Sequence, residues 1–284
     1  MKFKKEYAYL SQGKKEIILK QFHLEVKYSN ILRKTTNQLE RGKLYYQLYS
    51  KFFNEISEHP MLNRTEHEIN NRVNRTINFL SDYISPSSKL IEIGAGDCSV
   101  TIGLAPLLDQ AMGVDVAKNI MPNKDILPKN VNLFVSEDGI TLPSKKNYFD
   151  IAYSNQLLEH LHLEDSKSHL INVYNLLVTD GYYIFNTPHR FFVPHDVSVY
   201  FYNISKGFHL KEYCNYELYI LLKKAGFSKI NLITGIKGRK ILLPIFISIL
   251  VEFLLVMLPY KIRKYLSLLT PFRKCLNGHI IAKK

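Results

Sequence analysis

The sequence predicts an α/β fold, a mostly parallel sheet with helices on both faces, and three observations carry that prediction. The first is residues 89–120, KLIEIGAGDCSVTIGLAPLLDQAMGVDVAKNI. A short apolar run, Leu90, Ile91 and Ile93, ends in the turn Gly94-Ala95-Gly96, and a helical pattern through Val100, Leu104 and Leu107 follows. A second apolar run then closes on Gly113-Val114-Asp115. Short apolar runs bounded by turns read as buried parallel strands. The second observation is that further runs of this kind alternate with helical patterns along the chain. The third is size: 284 residues with 46% hydrophobic content suit one medium domain with appendages, at about 150 residues per domain.

Taken in order, residues 1–60 are Lys- and Tyr-rich. Leu44, Tyr45, Leu48, Tyr49, Phe52, Phe53 and Ile56 recur at helical spacing before His59-Pro60, so this region reads as an N-terminal helical cap. Thr65-Glu66-His67-Glu68 is a capping box, opening a helix with Ile69, Val73, Ile77, Leu80 and Ile84 on its buried stripe. Ser85-Pro86-Ser87-Ser88 breaks it before the first strand. Asp97 is the expected N-cap of the helix after the glycine turn. Strands follow at 131–135, 149–154 and 182–186, with a helix over 165–178. Asn215 is expected to cap a helix that Gly226 ends, with a sixth strand at 230–233 and a last one in 278–283.

The first unit carries chemistry. Asp115 stands 19 residues after Gly96, the distance at which a carboxylate at the end of a second strand accepts from ribose hydroxyls, about 20 residues on. Ser99 occupies the third glycine position of a dinucleotide fingerprint, and no Gly-Lys-Ser/Thr phosphate loop is present. Glu92, read as lying at the lip of the site, would repel phosphate and attract an ammonium. A nucleoside cofactor without a pyrophosphate fits better than NAD.

On these residues a resemblance appears. EIGAGDC followed by GVD is similar to motifs I and II of the class I S-adenosylmethionine (SAM) dependent methyltransferases, usually (D/E)-x-G-x-G-x-G, with Cys98 in place of the last glycine. Ser136-Glu137-Asp138-Gly139, Leu142-Pro143, Phe149-Asp150, Glu159-His160-Leu161 and Thr187-Pro188-His189 resemble the ubiquinone-biosynthesis, or type 11, members. The resemblance implies a Rossmann-like sheet of seven strands whose last is antiparallel. It implies that Glu92, Gly94, Ala95 and Gly96 hold the methionine end of SAM. Asp115 with Val116 would take the ribose, Asp138 with Gly139 the adenine, and Asn155 and Gln156 would close the site near the methyl group. A hydroxyl acceptor needs a base, for which His160, His189 and His195 are candidates. No metal cluster is visible in the sequence.

Net charge of +13 and a pI of about 9.4 favour an anionic partner. Cys98, Cys214 and Cys275 form no C-x-x-C pair, and MKFKKEYAYL has no apolar signal core; both point to a reduced, cytoplasmic setting. Residues 241–258, ILLPIFISILVEFLLVML, contain one charge, Glu252, and are flanked by Lys237, Arg239, Lys240 and Lys261, Arg263, Lys264. If the strands on either side share one sheet, this segment must return to its own side, and 18 residues are too few to cross ~30 Å of bilayer twice. The expectation is an in-plane helix meeting an anionic membrane surface through 241–270, peripheral on the inner face. The competing expectation is packing on the domain or against a second subunit.

The division is therefore a cap over 1–60, a SAM-binding domain over 61–236 and 276–284, and a hydrophobic, basic insert over 237–275. The expected function is methyl transfer from SAM to a small-molecule or lipid-linked acceptor, an O-methylation foremost. Two alternatives stand beside it. One is a non-catalytic SAM-binding partner at a membrane; the other is a nucleic-acid methyltransferase. Against a specific nucleic-acid partner, the chain has no Asn/Asp-Pro-Pro-Tyr-like motif and no target-recognition domain.

Overall fold

The computed structural model describes all residues except Met61, Ser144, Lys237 and Gly238. Among the described residues, α-helices and strands follow one another as α1 (Gln12–Lys34), α2 (Gln38–Glu55), α3 (Glu66–Leu80), β1 (Lys89–Ile93), α4 (Ser99–Leu104), β2 (Gln110–Asp115), β3 (Val131–Val135), β4 (Phe149–Asn155), α5 (Leu163–Leu176), β5 (Leu177–Asn186), α6 (Asn215–Ala225), β6 (Lys229–Ile236), β7 (Arg239–Pro244), α7 (Ile245–Val256), α8 (Tyr260–Leu268), α9 (Thr270–Cys275) and β8 (His279–Lys283). The sheet has eight strands, in the order β3-β2-β1-β4-β5-β8-β6-β7.

Two compact units are formed. One comprises Thr35–Asn155, Ile171–Ile184 and Lys284; the other comprises Met1–Lys34, Gln156–Leu170 and Phe185–Lys283. In the first, β3, β2, β1 and β4 are all parallel. Leu90, Ile91, Ala111, Val114, Ile151 and Ala152 are almost completely buried there, as strands covered on both faces require. Strand order reverses beside β1, with β2 on one side and β4 on the other, so the carboxyl ends of these strands form the switch point at which open α/β sheets bind ligands. Thr65 and Glu68 make the expected capping box at the start of α3.

In the second unit β6 pairs antiparallel with both β7 and β8. Eight strands replace the seven expected. The extra one, β7, is the start of the apolar segment that reads as continuous in sequence. Its residues Ile241–Pro244 pair with Asn231–Thr234 of β6, and α7 begins only at Ile245. Period alone cannot separate a short apolar strand from the helix that follows it. Pro244, which has no N–H to donate, sits where an edge strand ends.

Two caps lie one residue from where they are expected. Cys98, at φ 56°, is the N-cap residue of α4; Asp97, just before it, still accepts from the Ser99 N–H at 3.1 Å. Cys214 is the N-cap residue of α6, and Asn215 is its first helical residue. Gly226, at φ 111°, ends α6 in the left-handed conformation that favours glycine.

Candidate functional site

In the first unit the glycine turn is built by its own backbone. Gly94 and Gly96 both have positive φ, 74° and 58°, which glycine adopts without steric cost. The Gly94 and Ala95 N–H groups both donate to the Val114 carbonyl, at 2.8 and 2.9 Å. The turn is thereby folded onto the end of β2. Asp115 completes it: Oδ2 accepts from the Gly96 N–H at 2.7 Å and Oδ1 from the Ala117 N–H at 2.8 Å. Burial pushes the Asp115 carboxyl up, while these backbone donors pull it back. The carboxylate is half-buried. An ionised carboxylate has about four acceptor directions, so the two backbone bonds leave capacity for a diol.

Glu92 is not at the lip. It lies under the turn, 4% exposed, and accepts from Thr101 Oγ1 of α4. Parallel strands are covered on both faces, so a residue two places before the turn is already inside. Burial pushes its carboxyl up to about 7. Cys98, at the position of the missing glycine, adopts φ 56° all the same, so the backbone keeps a glycine-like path with a side chain attached. Asp97 is fixed by Arg72 at 2.7 Å and Arg64 at 3.3 Å. Burial raises its carboxyl, but Arg72, Ser99 and Arg64 outweigh it and hold the group below the ordinary range.

Val116 and Gly139 lie side by side: a Cβ on Gly139, whose φ is 66°, would stand 3.3 Å from Val116 and 3.2 Å from Tyr45 of α2. Asp138 is held by its own loop. Its Oδ1 accepts from the Ile140 and Thr141 N–H groups and its Oδ2 from Thr141 Oγ1. Burial pushes its carboxyl up, but these donors together bring it below the usual range. Asn155 is exposed at the carboxyl end of β4. Glu92, Gly94, Ala95, Gly96, Asp115, Val116, Asp138, Gly139 and Asn155 therefore all fall in this unit, on the carboxyl-end side of parallel strands.

Gln156 and the three candidate histidines belong to the other unit. Gln156, at φ 59°, donates its N–H to the Asn186 carbonyl. His189 is buried, and both ring nitrogens are engaged. Nδ1 accepts from the Phe191 N–H at 3.2 Å, which makes Nε2 the protonated nitrogen, donating to Glu252 Oε1 at 2.7 Å. That leaves no nitrogen for an acceptor's proton, so His189 is a structural residue rather than a base. His195 is exposed, and its backbone N–H donates to Glu212.

His160 stands in a cluster that the sequence hides. Its ring meets that of His209 edge-on, centroids 4.8 Å apart. Potential donor atoms of Glu159, His160 and His209 all lie within 4.8 Å of one another. Glu159 is fully buried; Oε2 accepts from Thr187 Oγ1 at 2.9 Å, and Oε1 has no partner among the described residues. Burial pushes Glu159 up to about 7. It also pushes His160 down to about 3, with His209 adding to the effect. For His209, burial lowers the imidazole, but its bond to Glu212 at 3.0 Å and the nearby Glu159 and Asp196 carboxylates raise it above its ordinary value.

Helix α1 sets the loop that carries His209. Arg33 donates to the carbonyls of Lys206, Gly207 and His209, and Glu25 accepts from the Phe208 N–H. Glu159, His209, Glu212 and Thr187 join this cluster without having been candidates in the sequence. Glu159, a carboxylate inside the apolar run LLEHL, is the signal that could have found the cluster.

Residues 91–185 match the family model described as methyltransferase domain, type 11. No curated protein matches the chain. Among solved structures, phosphoethanolamine N-methyltransferase 1 of Haemonchus contortus, in complex with phosphoethanolamine and S-adenosylhomocysteine, is 16% identical. The match covers 86% of this chain and 49% of that one, with a TM-score of 0.52. A possible exported protein from Bordetella parapertussis is 13% identical over 97% of this chain and 99% of that one, with a TM-score of 0.51. These two likenesses concern the fold.

Proposed function

We propose that this chain, a class I SAM-dependent methyltransferase with its type 11 methyltransferase domain at residues 91–185, moves a methyl group to the hydroxyl of a small-molecule or lipid-linked acceptor. The observation that carries the reading is the Asp115 carboxylate bound to the Gly96 N–H across a turn of two positive-φ glycines. SAM brings a methyl group already activated on a sulfonium. The protein's part is to hold and orient. Asp115 binds ribose hydroxyls, the exposed backbone of Gly94–Gly96 lies along the methionine end, and the Val116–Gly139 contact forms the floor for the adenine. Asp138, its Oδ1 taken up by backbone N–H groups, offers the adenine amine an Oδ2 that accepts from Thr141 alone among the described residues.

A hydroxyl acceptor must lose a proton as the methyl arrives. With His189 committed to Glu252 and His160 pushed down to about 3 by burial, its neighbour Glu159, raised to about 7, is the group of this cluster best matched to take that proton. A lipid-linked acceptor fits the exposed apolar helix α7, and the peripheral membrane setting, through residues 241–270, follows from the same surface. The other reading, SAM binding without transfer, has no observation in its favour.

The test is incubation with methyl-labelled SAM and an extract of the source cells, then separation into organic and aqueous phases, with Asp115→Ala as control. Label in the organic phase, absent with the variant, is the expected result. Label in the aqueous phase alone would refute a lipid-linked acceptor, and no transfer despite SAM binding would refute catalysis.

A further inference from the structure

Resting on the reading of this chain as a methyltransferase with a lipid-linked acceptor, we propose that α7 and α8 form an in-plane anchor for an anionic lipid surface, and that seating on lipid steadies the loop at residues 189–192. The two faces of α7 differ. Ile245, Ser248, Glu252 and Leu255 are buried. Phe246, Leu250 and Leu254 are 60–66% exposed, and Met257, which follows the last helical residue, is exposed as well. Large apolar side chains set together in solvent need a covering surface. The helix has 12 residues, about 18 Å in length, and no helix among the described residues is long and apolar enough to cross a membrane. It can lie in an interface but not span one.

Charge selects the partner. Residues 239–275 hold seven basic side chains and a single acid. That acid, Glu252, is buried and engaged with His189 Nε2 and the Asn215 and Tyr216 N–H groups. Arg239, Lys240, Lys261 and Arg273 are exposed. Tyr260 and Tyr265 are exposed on α8, and amphipathic rings of this kind suit a headgroup boundary. A lipid surface of negative charge satisfies both the apolar face and its basic rim. A second copy of the chain, packed face to face, would set this cationic rim near its own like charges.

The buried side of the same element holds the loop. Glu252 fixes the His189 tautomer, and its two backbone acceptances place the start of α6. From α8, the Arg263 guanidinium lies 5.2 Å over the Phe191 ring, and Ser267 Oγ donates to the Phe191 carbonyl at 3.3 Å. Anything that immobilises α7 and α8 therefore restrains residues 189–191.

The experiment uses the full chain with vesicles of phosphatidylcholine alone or mixed with phosphatidylglycerol, reading co-sedimentation and amide hydrogen exchange. The expected result is binding to the anionic vesicles only, weakened by salt, with slower exchange at residues 189–192. A Leu250→Glu/Leu254→Glu double variant, on the exposed face, loses vesicle binding and the slowing while retaining its melting temperature and SAM affinity. Glu252→Gln keeps vesicle binding but loses the slowing. Equal binding to neutral vesicles, binding by the double variant like that of the parent, or dimerisation through this face without lipid binding would overturn the proposal. So would exchange at 189–192 that ignores bound lipid. SAM titration of the parent keeps the two claims apart: absent SAM binding sinks the methyltransferase reading, whereas SAM binding without vesicle binding sinks only this one.

Discussion

The glycine turn after β1 and the α7–α8 insert place their key carboxylates in opposite ways. Asp115 is held by backbone N–H groups within its own strand-turn-helix unit, at Gly96 and Ala117. Glu252 meets His189, 63 residues away in sequence, and caps a helix, α6, that precedes its own. The first is local geometry and follows from glycine spacing. The second depends on which surface α7 covers, which no spacing reveals. The single acid of the apolar segment, Glu252, is the group that fastens the segment down.

The largest effect expected from this contrast is at Glu252. Glu252→Ala leaves His189 Nε2–H and the Asn215 and Tyr216 N–H groups without this acceptor; an unsatisfied buried donor costs about 1–3 kcal/mol, so the variant should lower thermal stability strongly, more than any exposed α7 substitution. A small shift in melting temperature would mean the insert is loosely held. Next comes Asp115→Ala. It removes a charged acceptor from two backbone donors as well as from the ribose, and bonds to charged groups are worth about 1.5–3 kcal/mol each. SAM affinity should fall by about 100-fold or more in a calorimetric titration; an unchanged Kd would disprove the ribose role.

Cys98 sharpens the local half of the comparison. A left-handed non-glycine residue costs roughly 1–2 kcal/mol, so Cys98→Gly should retain SAM binding and change stability by no more than about 1 kcal/mol once glycine's extra backbone entropy is counted. Cys98→Val, β-branched at φ 56°, should destabilise the turn and weaken SAM binding. Denaturant titration of the two variants checks the order.

A separate effect is a pH dependence. Burial raises Glu92 from 4.5 to about 7. The folded chain therefore holds this proton more tightly than the unfolded one. The resulting stability is complete below 4.5 and is lost as pH rises through 7. Glu92→Gln carries no such proton, so the stability of the parent relative to the variant should decline over this window and level off above it. A flat difference would show that Glu92 is solvated.

Much of the core was legible because local rules fixed it. The Thr65–Glu68 capping box, the Gly226 stop and the strand-turn-helix unit ending in Asp115 all depend on neighbours in sequence. Helix α1 was not, because its buried positions Ile18, Phe22, Tyr28 and Leu32 share the inward face with Glu25 and Ser29, and polar residues blur the period. Those two residues are inward because they bind the loop at 206–208, a tertiary cause. Strand β7 was hidden in an unbroken apolar run. In the candidate site, Gly94 and Gly96 make the tight turn with positive φ, whereas Glu92 lies inside and His189 is committed to Glu252. The Glu159–His160–His209 cluster joins two segments that only the fold brings together.

The most direct test of the central claim is a binding titration of the purified chain with SAM and with NAD, repeated with Asp115→Ala. SAM should bind, NAD should bind far more weakly or not at all, and the variant should lose SAM. Failure of the parent to bind SAM, or equal binding by parent and variant, would contradict the claim.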